Sequence, residues 1–249
     1  MLSQYEKRSK IKFLLQNSIL ASAPKSGRTW LRMIFAKILL ENRYDTKHFE
    51  FIFACHYLPD RVIKEFSKDL KIVLLIRDPR DTAVSLYHEY MKSKRINKQM
   101  SIDEFVTSSK GVPYFVDYLN KWMDSFCDFE KEILIMTYED LKMNTFDEVK
   151  RCLKYLQYDI GDYEIDKAIK YSSFSNMKKI EEGVGNNLLK HYKGKFGRAK
   201  LESINDYRVR KGLIGGYADE LEEQTIDKIN KQCQKLQDHP FLIPYKRNE

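Results

Sequence analysis

Three short apolar segments, each followed by a stretch with helical periodicity, most strongly constrain the fold of this chain. They predict strands at 18–23, 71–76 and 132–137, and the residues after them predict helices at 29–40, 82–94 and 145–156. Nearly continuous apolar runs are typical of parallel strands that are covered on both faces. Alternation of strand and helix indicates crossover connections. We therefore expect an α/β fold with a central parallel sheet flanked by helices.

The chain of 249 residues shows no internal repeat and no sharp break in composition, so we expect a single domain spanning 1–249. Residues 1–17 form an N-terminal extension. Beyond Tyr171 the sequence becomes loop-like, and 178–209 is predicted to be a flexible loop near the substrate or cofactor. A last helix is expected at about 219–236.

The N-terminus has some features of a secretory signal, because basic residues precede an apolar run at 13–23. Polar residues interrupt that run, and cleavage after it would remove the first predicted strand. The four cysteines form no CxxC pair, which favours neither a zinc site nor a disulfide framework. We expect a cytoplasmic protein.

The segment Pro24-Lys25-Ser26-Gly27-Arg28-Thr29-Trp30 joins the first strand to the first helix and is a candidate phosphate loop. Gly27 permits close approach of the backbone, and N–H groups at a helix start can bind an anion. The pattern differs from GxxxxGK[ST], since the lysine precedes a single glycine. A simple turn with a solvated lysine is the structural alternative.

A second candidate anion site follows the second strand. Arg77 occupies the position where many nucleotide-binding proteins carry a metal-binding Asp, and Ser85 lies on the next helix. Asp81 is predicted to cap that helix, over whose N-terminus Arg77 and Ser85 can both reach a phosphate. The alternative is a salt-bridged turn with Ser85 on the surface.

The net charge of +8 favours an anionic partner but does not identify it. Basic and acidic residues alternate along the chain, with no zinc finger and no basic–aromatic repeat. A nucleic-acid-binding module is therefore a weaker interpretation than a protein with a basic surface, and we expect no nucleic-acid partner.

Both motifs together resemble the cytosolic-type sulfotransferases, which carry PKSGTTW and RDPRDxxxS segments. Three further segments match that family in the same order: Tyr138-Glu139-Asp140, Ser172-Ser173-Phe174 with Met177, and Arg210-Lys211-Gly212. The resemblance runs from about Ile19 to Tyr217. It implies a bacterial-like member with a P-loop-type fold that uses 3'-phosphoadenosine 5'-phosphosulfate (PAPS) as sulfuryl donor, without a metal.

The resemblance also assigns residues to the two ends of the donor. The residues implied for the 5'-phosphosulfate and adenine side are Lys25, Ser26, Gly27, Arg28, Thr29 and Trp30. Those implied for the 3'-phosphate are Arg77, Ser85, Arg210, Lys211 and Gly212, and those implied for the adenosine are Tyr138, Ser173 and Met177. Lys25 has a second, catalytic role, since it would stabilise charge on the leaving phosphate oxygen.

Transfer to a hydroxyl needs a base, and histidine serves near neutral pH. His56 stands in a segment that resembles the family's KTHLP motif, with Ala54 and Cys55 replacing Lys-Thr. We expect His56 to be the catalytic base. His48 and His88 are alternatives.

The sequence indicates the acceptor less directly than the donor. A hydroxyl on a carbohydrate or glycolipid is favoured, with a small alcohol or phenol as alternatives.

Two other classes of function compete with a sulfotransferase. A P-loop kinase for a nucleotide or small molecule is the competing enzyme class, and a non-catalytic anion-binding or nucleic-acid-binding module is the competing non-enzyme class. The sequence predicts no oligomeric state.

Overall fold

A computed structural model describes residues 18–42, 56–65, 71–128, 133–184, 188, 205, 207 and 209–246. Its strands are β1 (Ser18–Ser22), β2 (Lys71–Ile76) and β3 (Leu134–Thr137). The helices before β3 are α1 (Arg28–Glu41), α2 (Pro59–Glu65), α3 (Pro79–Lys92), α4 (Ile102–Thr107) and α5 (Val112–Asp124), which a 3-10 turn, Ser125–Asp128, follows. The later helices are α6 (Tyr138–Met143), α7 (Thr145–Tyr155), α8 (Asp162–Tyr171), α9 (Phe174–Glu181), α10 (Glu223–Cys233) and α11 (Ile243–Lys246).

The three described strands form one parallel sheet in the order β1-β2-β3. Ser18 pairs with Lys71 at one end of the first ladder, and Ile76 pairs with Thr137 at one end of the second. All three strands therefore end at the same edge of the sheet, and the segments that follow them meet there.

Alternation along the strands places apolar side chains in two cores, one on each face of the sheet. In β2, Val73 and Leu75 pack with α1 and α7, whereas Ile72, Leu74 and Ile76 pack with α3 and α5. Burial on both faces explains the continuous apolar run of this strand. The α/β class predicted from the sequence, a parallel sheet flanked by helices, is confirmed.

The helix after β2 begins earlier than predicted, and its cap is a different residue. Pro79 occupies the first turn, where its missing N–H costs nothing. The Asp78 side chain accepts from the Arg80 N–H at 2.8 Å and is therefore the N-cap. Asp81 was expected in that role, but its carboxylate instead accepts from the N–H groups of Gly215 and Tyr217.

The region beyond Tyr171 contains more helix than the sequence indicated. Helix α9 extends through Glu181, so the start of the predicted loop at 178–209 is helical, and most of the remainder lies outside the described residues. The predicted last helix is shorter, since α10 begins at Glu223. No described helix is both long enough and apolar enough to span a bilayer.

Candidate functional site

A cavity of about 540 Å³ opens where the three strands end. Its wall is formed by residues from the segments 24–30, 77–95 and 138–145, which follow β1, β2 and β3, together with His56, two residues of α9 and the segment 209–216. The volume is in the range of small-molecule sites. The cavity thus lies at the carboxyl edge of the sheet, where ligands of open α/β sheets bind.

The loop after β1 contains two left-handed residues. Lys25 has φ 69° and Gly27, which precedes the first residue of α1, has φ 91°. A Cβ atom on Gly27 would lie 2.6 Å from Cδ2 of Tyr138, so this position needs glycine for two independent reasons. Ser26 lies between them and is 1% exposed, so its side chain points inward and does not line the cavity.

Arg77 connects three walls of the cavity. Its guanidinium donates to the carbonyl oxygens of Lys25 at 3.3 Å and of Leu213 at 3.0 Å, and it forms an ion pair with Asp81 at 3.5 Å. The same group lies 4.2 Å from the ring centre of Tyr138. Among the described residues, the buried Nε of Arg77 has no hydrogen-bond partner. An anion bound beside Arg77 would supply one.

Glu220 holds the segment that contains Arg210 and Lys211 against α3. Its carboxylate accepts from Arg210 at 2.7 Å, lies 3.0 Å from Lys211 Nζ, and contacts His88 Nε2 at 2.7 Å. Burial raises the pKa of Glu220, but the hydrogen bonds from His88, Arg210 and Lys211 outweigh it and lower that pKa to about 2. His88 is therefore engaged with Glu220 and does not reach the cavity wall.

His56 lies on the cavity wall between two fixed groups. Its Nδ1 is 3.0 Å from the carbonyl oxygen of Ser22, and its Nε2 is 2.9 Å from the Arg28 guanidinium. The carbonyl can only accept, so Nδ1 carries the proton and Nε2 accepts from Arg28. Loss of hydration, followed by the positive charge of Arg28, lowers the pKa of His56 from 6.5 to about 4, although the hydrogen bond to Ser22 opposes this. The neutral imidazole is the form that can accept a proton.

The cavity brings together most of the side chains that the sequence predicted. On its wall are Lys25, Gly27, Arg28, Thr29, Trp30, His56, Arg77, Ser85, Tyr138, Met177, Arg210, Lys211 and Gly212. Ser26 and Ser173 are absent from it, and Ser173 instead faces Ser175, with 3.4 Å between the two hydroxyls. His48 lies outside the described residues.

Several wall residues were not predicted. Phe174 and Lys142 stand beside predicted positions, whereas Glu89, Tyr90 and Arg95 extend the wall along and beyond α3. Glu89 could have been predicted from the sequence, because it follows Ser85 by four residues and so lies on the same helical face. Its carboxylate pairs with Lys25 at 3.4 Å. Arg95 had no signal in the sequence, since it follows the helix.

The arrangement is suited to a ligand with anionic groups at two separated points. Lys25, Arg77, Arg210 and Lys211 all line this cavity, and Lys25 and Arg77 pair with carboxylates eight residues apart on α3, those of Glu89 and Asp81. In the described part of the chain, no group of three or more His, Cys, Asp or Glu side chains could hold a metal ion. The unpaired Nε of Arg77 and the glycine-dependent loop fit a nucleotide with two anionic ends, such as PAPS.

Comparison with known proteins agrees with this geometry. The family model of the sulfotransferase domain matches residues 42–239. The amine sulfotransferase of Oryctolagus cuniculus is 24% identical, over 91% of this chain and 82% of its own length. Cytosolic sulfotransferase 15 of Arabidopsis thaliana is 26% identical, over 87% of this chain and 70% of its own length. Sulfotransferase 2A6 of Rattus norvegicus is 30% identical, over 66% of this chain and 67% of its own length.

Solved structures show the same fold. Mouse sulfotransferase SULT7A1, crystallised with PAP, superposes with a TM-score of 0.71 at 21% identity, covering 94% of this chain and 89% of its own. Retinol dehydratase, in complex with androsterone and PAP, gives a TM-score of 0.64 at 16% identity and covers 95% and 86%. The chain therefore belongs to the sulfotransferase domain family, as a cytosolic-type, PAPS-dependent sulfotransferase.

Proposed function

We propose that this sulfotransferase acts in the cytoplasm on a hydroxyl of a carbohydrate or glycolipid, with His56 as its catalytic base. One observation carries the proposal: a single cavity contains an imidazole nitrogen that is unprotonated and several cationic side chains, namely those of Lys25, Arg77, Arg210 and Lys211. The names of the Arabidopsis relatives support the location.

The residues that would hold the donor form two groups. Arg77, Ser85, Arg210 and Lys211 bind the 3'-phosphate, and Arg77 has the orphaned Nε to do so. Trp30, Tyr138, Phe174 and Met177 provide apolar surface for the adenosine, and Trp30 and Tyr138 already meet edge to face. Lys25 and the N–H groups at the start of α1 bind the 5'-phosphosulfate. Ser26 and Ser173, which do not line the cavity, receive no role in this proposal.

The protein positions three groups around the reacting hydroxyl. When bound, PAPS supplies a sulfuryl group, whose bond to the 5'-phosphate oxygen breaks as the acceptor oxygen bonds to sulfur. His56 Nε2 takes the hydroxyl proton, because Nδ1–H is held by the Ser22 carbonyl. Lys25 stabilises the charge that develops on the leaving phosphate oxygen. Release of Lys25 from Glu89 makes its ammonium available for this role.

The acceptor end of the cavity supports a polar, ring-shaped substrate. The wall also contains Leu86, Tyr90 and Arg95, of which Tyr90 is half-buried. An aromatic side chain beside charged groups suits a sugar ring, which has both an apolar face and polar edges. This mixture of side chains is the reason for preferring a carbohydrate to a simple phenol.

Binding and turnover of a His56→Ala variant test the proposal. We expect PAP to bind the variant within about twofold of the parent, since a base acts in the transition state. We expect transfer from PAPS to fall by at least 100-fold. His239→Ala is the control, because His239 stacks between Phe126 and Phe241 and does not line the cavity.

Two outcomes would contradict the proposal. If His56→Ala retained its turnover, His56 would not be the catalytic base. If the protein bound MgATP more strongly than metal-free PAP, a kinase would be favoured. A screen of labelled PAPS against sugars, glycolipids and phenols identifies the acceptor class.

A further inference from the structure

The Arg28 guanidinium donates a hydrogen bond to the nitrogen with which the proposed base must accept a proton. One terminal nitrogen of Arg28 lies 2.9 Å from His56 Nε2. The other ring nitrogen, Nδ1, is hydrogen-bonded to the carbonyl oxygen of Ser22. A hydroxyl proton can reach Nε2 only when Arg28 turns away. A change of partner for Arg28 is therefore a requirement of the proposed reaction.

An anion on the acceptor would provide that partner. A guanidinium can bind an oxyanion through two parallel hydrogen bonds between opposite charges, whereas the neutral imidazole nitrogen accepts only one. An anionic group on the acceptor beside Arg28 would thus free the base.

A second guanidinium lies on the wall of the same cavity. Along α3, Asp81 contacts Arg77, and Glu89, about 12 Å further on, contacts Lys25. Arg95 follows the end of this helix and also lines the cavity. Its guanidinium lies 5.6 Å from the ring centre of Tyr90, and it pairs with no carboxylate in the described part of the chain.

We propose that the acceptor carries a carboxylate, sulfate or phosphate close to its reacting hydroxyl, and that Arg28, assisted by Arg95, binds this group. An acidic sugar such as a uronic acid has such a group, and its ring can also pack against the aromatic side chain on the cavity wall. The inference rests on the proposed function, and it adds a charge requirement that family membership does not supply.

Matched pairs of acceptors test the inference. The probes are methyl glucuronide with methyl glucoside, and 4-hydroxyphenylacetate with its methyl ester. Each is titrated calorimetrically into the protein–PAP complex and assayed with PAPS. We expect the parent to favour the anionic member of a pair by at least about tenfold in affinity and in kcat/KM.

The variants Arg28→Gln and Arg28→Thr should reduce that preference to about twofold or less, while PAP affinity stays within about twofold of the parent. Arg95→Gln should reduce it in part. Lys228→Gln, an exposed charge on α10, is the control and should change nothing.

Three results would overturn the inference. The complex could bind the neutral members as well as the anionic ones, it could bind none of the four compounds, or Arg28→Gln could weaken PAP and every acceptor equally. The last result would assign Arg28 to the donor. Failure of the proposed function is a different result, since PAP would then not bind or no acceptor would receive sulfate.

Discussion

At the scale of single residues, backbone conformation decides how closely the first loop approaches its ligand. Lys25 and Gly27 both have positive φ, and only glycine adopts that region without cost. The Lys25 side chain therefore reaches the cavity from a strained position, as is common at functional sites. Gly27 also leaves room for the Tyr138 ring, which lies beneath Arg77.

Replacing Gly27 with alanine should damage the site more than the fold. The left-handed backbone costs roughly 1 kcal/mol for alanine, and the new Cβ would also displace the Tyr138 ring. We expect PAP affinity to fall at least about tenfold, as measured by calorimetry.

Gly183→Ala is a matched control for this prediction. Gly183 has φ 87°, close to the value of Gly27, but nothing lies within 4 Å of its added Cβ. Gly183→Ala should lose similar stability and keep its PAP affinity. Equal affinities of the two variants would show that contact with Tyr138 does not matter.

At the scale of elements, α3 contacts the segments that carry the cationic side chains of the cavity. Asp81 binds the backbone of Gly215 and Tyr217 at its start, and His88 contacts Glu220 two turns later. The helix thereby ties a distant part of the chain to the sheet edge. These contacts help to hold Arg210 and Lys211 at the cavity.

Glu220→Gln should loosen the attachment and lower stability. Hydrogen bonds to charged groups contribute about 1.5–3 kcal/mol, and glutamine would leave Arg210, Lys211 and His88 without a negative partner. Loss of about 2 kcal/mol lowers Tm by roughly 4–8 °C in a chain of this length. Calorimetry should also show weaker PAP binding.

The exposed carboxylate of Asp238 provides the comparison. Its side chain is 85% exposed and pairs with Lys246, and such surface pairs contribute only about 0–1 kcal/mol. Asp238→Asn should change Tm by no more than about 2–4 °C. An equal effect of the two substitutions would contradict the role given to Glu220.

The stability that Glu220 contributes should depend on pH in a defined direction. The pKa of Glu220 is lowered from 4.5 to about 2, so the folded chain releases this proton more readily than the unfolded chain. Its contribution is complete above pH 4.5 and is lost as the pH falls towards 2. The gap in Tm between the parent and Glu220→Gln should shrink over that window.

The sequence predicted the elements whose pattern is local. Strand β2 was predicted with its observed bounds, because burial on both faces gives an unbroken apolar run. Helices α5 and α8 were overlooked between the predicted units, although their apolar residues recur at helical spacing. The cap of α3 was assigned to Asp81 instead of Asp78, because both residues are acidic and lie within one turn.

At the scale of the whole molecule, the segments that follow two neighbouring strands line one cavity. Parallel pairing brings the ends of β1 and β2 together, and the Arg77 guanidinium already touches the carbonyl of Lys25. Sequence order alone predicted this neighbourhood. It did not predict that Leu213 and Glu220 close the other side, since those contacts span more than 100 residues.

Lys25→Ala and Arg77→Lys should have different effects. Arg77→Lys removes the planar guanidinium that contacts three walls, so PAP affinity should fall about 10- to 100-fold. Lys25→Ala should reduce kcat by a larger factor than it reduces PAP affinity, because the charge is needed most in the transition state. If both variants bound PAP like the parent, the assignment of subsites would be wrong.

The bond between Arg80 and Asn230, at 2.8 Å in the interior, joins the start of α3 to a helix 150 residues further on. Together with the link from Arg77 to Leu213, it fastens the last fifth of the chain to the segment that follows β2. Residues 209–216 complete the cavity from that side, so a chain that lacked them would leave the sheet edge open there.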